Sequence, residues 1–85
     1  MNKHILMLVD HQLNPAKYTK EQLKQNAADA RAARAAADVA TRAAARSVRD
    51  RVNVNAADYW LSEYFVNTGE NKQDYIDAIN KGNKQ

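Results

Sequence analysis

From Lys20 to Val52 the chain has no glycine and no proline, and 12 of the 19 residues Ala27–Ala45 are alanine. Alanine loses no side-chain entropy in a helix and is the best helix former. Nothing in this stretch stops a helix, so the sequence predicts one continuous helix over residues 20–52. At about 1.5 Å per residue that rod is about 50 Å long, and the remaining segments must fold back along it. Its start is well marked. Thr19 can cap and Gln22 can reach back, and Tyr18 and Leu23 stand where a hydrophobic staple needs them.

The flanking segments also read as helical. Ile5–Val9 is a short apolar run, with Ile5, Val9 and Leu13 at four-residue spacing, which favours a helix over residues 3–12. Strand pairing between chains is the alternative. Asn14-Pro15 breaks the chain, because proline lacks a donor and restricts its predecessor. Asn53-Val54-Asn55 ends the long run, and Asn55 can cap a third helix over residues 56–67, with Asp58 near its positive end. Thr68-Gly69 closes that helix, with Gly69 as a left-handed cap. Asn71 caps a fourth helix over residues 72–81, and Gly82 follows its last turn. The expected fold is all-α, a single helical domain over residues 1–85. One long Ala-rich central helix is packed by a short N-terminal helix and a C-terminal helical hairpin.

Composition narrows the function. Eighty-five residues leave no room for a two-domain enzyme, and with no cysteine there is no disulfide framework or thiolate zinc site. No apolar run approaches the ~20 residues of a membrane span. Ile5–Val9 is short for a secretory signal, so the expected location is cytoplasmic. Leu, Ile, Val and Phe number 15 of 85, below the roughly 20% usual for a confident core. A small chain built on alanine buries little apolar surface for its length. Self-association or docking on a partner is therefore expected.

The charge has a definite address. Residues 27–51 hold all six Arg against three Asp, and the remainder holds seven Lys against seven acids, so the whole net charge of +3 rides on this stretch. At 100° per residue, Lys20, Lys24, Arg31, Arg34, Asp38, Arg42, Arg46 and Arg49 share one sector. Opposite lie Ala32, Ala33, Ala36, Ala40, Ala43 and Ala44. Leu23, Ala30, Ala37 and Ala44 recur every seven residues, with Val48 and Val52 continuing that side. Such a small-residue seam lets two helix axes approach closely. The Arg face is either a binding stripe or a solvated face stitched by Arg34–Asp38, Asp38–Arg42 and Arg46–Asp50 pairs. As a binding stripe it suits an acidic protein surface or phosphate.

Trp60, Leu61, Tyr64, Phe65, Tyr75, Ile76 and Ile79 supply bulk to cover the alanines. Trp60 and Tyr64 are also candidate interface anchors, because Trp, Tyr and Arg dominate binding hot spots. The stretch Trp60–Gly69 with the following helix has a superficial helix-turn-helix look. Glu70, Asp74 and Asp77 make that second helix too acidic for a major groove. His4, Asp10 and His11 are the only potential metal group, and a seven-residue spacing sets the histidines too far apart for one ion. A surface or capping role is expected for them. Ser47 and Ser62 have no histidine nearby in sequence, and no glycine loop could cradle phosphate. No catalytic, cofactor or metal residue is assigned, and the chain is not expected to be an enzyme.

The Ala-rich helix, then Tyr59-Trp60-Leu61-Ser62-Glu63-Tyr64-Phe65, then Thr68-Gly69-Glu70-Asn71-Lys72-Gln73-Asp74-Tyr75-Ile76, resembles small helical accessory proteins of tailed bacteriophages. The likeness is one of texture and spans residues 20–80. It implies a setting, the bacterial host cytoplasm, and a non-enzymatic role in binding and modulating a host protein or defence component, by inhibition. Partner contact is assigned to Arg31, Arg34, Arg42, Arg46, Arg49, Trp60 and Tyr64. The alternatives are a nucleic-acid-binding module using the Arg stripe and a structural homo-oligomer joined through the Ala seam.

Overall fold

The computed structural model describes residues 1–33, 37–49 and 53–83, without the side chains of residues 33, 37–41, 54 and 83. Among the described residues the chain is all helical. In order it forms α1 (Lys3–Leu13), a 3-10 turn (Pro15–Lys17), α2 (Lys20–Ala33), α3 (Ala37–Arg49), a second 3-10 turn (Val54–Ala57), α4 (Asp58–Thr68) and α5 (Lys72–Asn83). No described helix is long and apolar enough to cross a membrane.

Local signals place the helix ends well. Asn2 caps α1, its side chain accepting the N–H groups of His4 and Ile5 at 2.9 and 3.3 Å. The capping box of α2 closes in both directions. The Gln22 N–H donates to Thr19 Oγ1 at 3.1 Å, and the Thr19 N–H donates to Gln22 Oε1 at 2.8 Å. Asn71 caps α5 by accepting the Gln73 N–H at 2.8 Å. Gly69 closes α4 in the left-handed region at φ 75°. Two details differ from the sequence reading. Asn53 rather than Asn55 caps at the second 3-10 turn, by accepting the Asn55 N–H. Gly82 lies inside α5 rather than beyond it.

The two glycines therefore predict opposite effects. A Cβ at Gly69 meets nothing within 4 Å, so Gly69→Ala costs only the left-handed backbone, about 1 kcal/mol. Gly82→Ala, equally unobstructed and helical, raises stability slightly. Urea unfolding of the two variants checks both signs.

The continuous rod over residues 20–52 is not what forms. Two helices of 14 and 13 residues stand in its place, and α2 packs against α3. The longest dimension of the molecule is 33 Å, too short for a rod of about 50 Å. The reason is burial. Ala30 on α2 and Ala43 and Ala44 on α3 join one core cluster with Ile5, Leu8, Val9, Ala57, Leu61, Tyr64, Tyr75 and Ile79. On one straight helix, Ala30 and Ala44 would stand about 21 Å apart along the axis. Helix propensity separates good formers by only tenths of a kcal/mol per residue. One additional pair of helix ends thus costs less than leaving half the alanine face in water. Ala30 and Ala44 of the seam are thus spent inside the chain. Of the expected seam, Leu23, Ala30 and Ala44 are buried, Val48 is half-buried, and Ala37 and Val52 lie outside the described side chains.

The Ala-rich α3, which packs on α1, α2, α4 and the second 3-10 turn, shares the centre with α1, which packs on α2, α3, α5 and both 3-10 turns. Ile5, Leu8 and Val9 are completely enclosed, because α1 carries branched bulk that the Ala-rich helices lack. The expected C-terminal hairpin on a long helix is also revised. α4 docks on α3, whereas α5 docks on α1. The two meet through the rings of Phe65 and Tyr75, 5.5 Å apart.

A helix packed on several sides takes polar residues inside with it, although Lys3 and Leu13 of α1 stay exposed. His4, Asp10 and His11, for which a surface or capping role was expected, are all buried. His4 Nδ1 lies 3.1 Å from Asn26 Oδ1, and Asn26 Nδ2 donates to the His4 carbonyl at 3.2 Å. The second bond orients the amide, so Nδ1 of His4 carries the proton. The Asp10 carboxylate accepts from Asn14 Nδ2 at 2.7 Å, Lys17 Nζ at 2.6 Å and the Tyr18 hydroxyl. A second cluster ties the two ends of the chain. Tyr64 and Tyr75 both donate to Glu70, and the Asn2 N–H donates to the Tyr75 hydroxyl at 3.0 Å. Burial first, then the Glu70 carboxylate, raises the Tyr75 hydroxyl far above its ordinary value. It stays protonated as a donor.

Candidate protein-binding surface

The residues assigned to partner contact do not form one stripe. Arg31 is exposed on α2; Arg42 and Arg49 are exposed on α3, and Arg46 there is half-buried. Arg34 lies outside the described residues. The Arg34–Asp38, Asp38–Arg42 and Arg46–Asp50 pairs also fall outside the described side chains. Arg42 and Arg49 are seven residues apart, two turns and about 10 Å along the same face of α3. Among the described residues no carboxylate forms an ion pair with either. The ion pairs seen are Lys17–Asp10 and Lys72–Asp58.

The aromatic assignments split. Tyr64 is withdrawn as a contact residue. Only 1% of it is exposed, its ring packs against Phe65, and its hydroxyl is held by Glu70 at 2.9 Å. Trp60 stays at the surface, half-buried. The Arg42 guanidinium sits over its ring at 5.1 Å, and Tyr59 meets it edge-on at 4.8 Å. A cation over an indole face is attracted by the ring quadrupole and keeps a long side chain in one place.

Two exposed apolar residues were not named as candidates by sequence reasoning. Tyr59 is 63% exposed and Val66 79%. Their spacing of seven puts them within about 20° of each other on α4, on the side opposite Leu61 and Tyr64. The signal was present in the sequence. α4 carries large apolar side chains on two faces, interspersed with Ser62, Glu63 and Asn67, and bulk on a second face leaves a second surface to cover. Inside the molecule only one is covered.

No family model matches this chain, and no curated protein or solved structure is similar to it. The site therefore rests on geometry. Its electrostatics are uneven. On α4, Asp58 is engaged by Gln12 Nε2 at 2.5 Å and faces Lys72 Nζ at 3.7 Å. On α3, Arg42 lies over the Trp60 ring, and no described carboxylate pairs with Arg42 or Arg49. Among the described residues no group of three His, Asp or Glu side chains is placed to hold a metal ion.

Proposed function

We propose that this chain is a non-enzymatic binding protein that docks on a bacterial host protein and inhibits it, in the host cytoplasm. The contact surface is the outer face of α4 with the neighbouring Arg ridge of α3. One observation carries the reading: Tyr59 and Val66 stand exposed on the helix face opposite the core, beside a tryptophan held by Arg42. Exposed large apolar side chains grouped on one face of a small protein mark interaction sites, and Tyr, Trp and Arg are the usual anchors. The resemblance to phage accessory proteins supplies the bacterial setting. Nucleic acid is a weaker fit, because the Trp60 face that a base would stack on is occupied by Arg42.

The test is recovery from bacterial lysate at moderate salt. The wild-type chain is expected to retain a stoichiometric protein partner, and the Tyr59→Asp/Val66→Asp variant to lose it. Both positions are exposed, so the variant keeps its helical circular dichroism. Equal recovery by the folded variant overturns the surface assignment.

A further inference from the structure

α1 and α2 leave a cleft of about 320 Å³ between them, with His4 and Met7 of α1 on one side and Asn26 and Asp29 of α2 on the other. That volume lies at the small end of ligand pockets, roughly 300–1,000 Å³. Only 5% of His4 is exposed, so its ring is held almost wholly in protein. Nδ1 is committed to Asn26 Oδ1 at 3.1 Å, and the Asn26 amide is oriented by its own bond to the His4 carbonyl. The proton is therefore on Nδ1 and the lone pair on Nε2. Nε2 meets no hydrogen-bonding partner among the described residues, yet it is not sealed from solvent. Since His4 lines the cleft, an acceptor of fixed orientation is offered there. Nearly all buried polar groups are hydrogen-bonded, and an unpartnered one calls for an occupant.

We infer that the α1–α2 cleft binds a small neutral aromatic molecule through an N–H or O–H donor aimed at His4 Nε2, as an indole or a phenol would present. The polarity of the cleft selects a donor. Besides Nε2 it offers the Asp29 carboxylate, which accepts from Gln25 Nε2 at 2.9 Å and pairs with no described cation. Lys3 and Asp29 are both exposed and opposite in sign, so together they add no net charge to select an ion. Met7, half-buried between them, supplies a polarisable wall that suits an aromatic ring. A metal ion would also use the Nε2 lone pair. Protein sites for such ions use three or four ligands, and no group of three His, Asp or Glu stands around it among the described residues. The cleft uses no residue of the α4 surface proposed above, so the two readings are tested separately.

The test is NMR of the nitrogen-labelled full chain, which reads the His4 ring nitrogens directly, with indole, N-methylindole and zinc chloride as probes. Indole is expected to shift His4 Nε2 together with the Met7 and Asn26 signals along one saturable curve. An affinity of about 1 mM is expected for a probe of so few atoms. N-methylindole keeps the ring and lacks the donor. It should bind about threefold to tenfold more weakly, the worth of one hydrogen bond. Met7→Trp fills the cleft from a half-buried position and leaves the His4–Asn26 bond in place. It should abolish the indole response with helical circular dichroism unchanged. Equal affinity for indole and N-methylindole, or an undiminished response in the folded Met7→Trp variant, overturns the inference. Absence of any shift at ten times the expected concentration overturns it as well. Zinc that shifts Nε2 where indole does not overturns it in favour of a metal ligand.

Discussion

Ala44→Leu is expected to lower the stability of the fold by about 1–3 kcal/mol, whereas Ala45→Leu, one position further on, should leave it nearly unchanged. Ala44 is fully enclosed in the cluster that also holds Ala30 of α2 and Ile5 of α1, whereas Ala45 faces solvent. Packed interiors have no room for three added carbons without moving a backbone. On the solvent side, leucine is nearly as good a helix former as alanine. In a domain of this size the loss amounts to several degrees in Tm, about 4–8 °C for each kcal/mol. Urea midpoints at equal slope measure it. A change in sedimentation with an unchanged midpoint would instead place the alanine seam between chains and overturn the packing described above.

The second large effect belongs to Asp10. Asp10→Ala is expected to cost about 2–3 kcal/mol, the range for removing hydrogen bonds to a charged group. The carboxylate is 8% exposed and collects Asn14, Lys17 and Tyr18 at the junction of α1 and the first 3-10 turn. Burial pushes its pKa up, but the bonds from Lys17, Tyr18 and Asn14 outweigh burial and hold it below the ordinary 3.8. A depressed folded pKa means that the carboxylate's contribution is complete above the unfolded value and drains as pH falls through the folded one. The wild-type chain should therefore lose stability below about pH 4 more steeply than Asp10→Asn. Parallel acid profiles would show that the cluster contributes nothing. At the other extreme, Tyr18, Tyr64 and Tyr75 are all held above their ordinary 10. Their contribution is present below that pH and is lost as alkali titrates the folded hydroxyls.

Much of the architecture was legible one element at a time. The helix over residues 3–12, the Thr19–Gln22 capping box, the left-handed Gly69 and the Asn71 cap depend on neighbours three or four positions away. Periodicity and residue type report such contacts directly. The candidate surface was legible in part. Arg42, Arg49 and Trp60 were named from charge and residue type, and Tyr59 and Val66 were within reach of the same angular arithmetic. Tyr64 was misassigned because an aromatic residue on a helix with apolar side chains on two faces can face either way.

Sequence alone therefore determined that this chain is helical, where most of its helices begin and end, and that its positive charge sits on the alanine-rich stretch. Those properties follow from backbone capping and from side chains one or two turns apart. Tertiary structure decided that the alanine-rich stretch makes two helices rather than one, that α1 packs at the centre with α3, and that His4, Asp10, His11 and Tyr64 lie inside. Each outcome depends on which distant segment supplies bulk. Alanine-rich helices cannot enclose a core by themselves, so they divide and close around helices that carry bulkier side chains, such as Ile5, Leu8 and Val9 of α1 and Leu61 of α4.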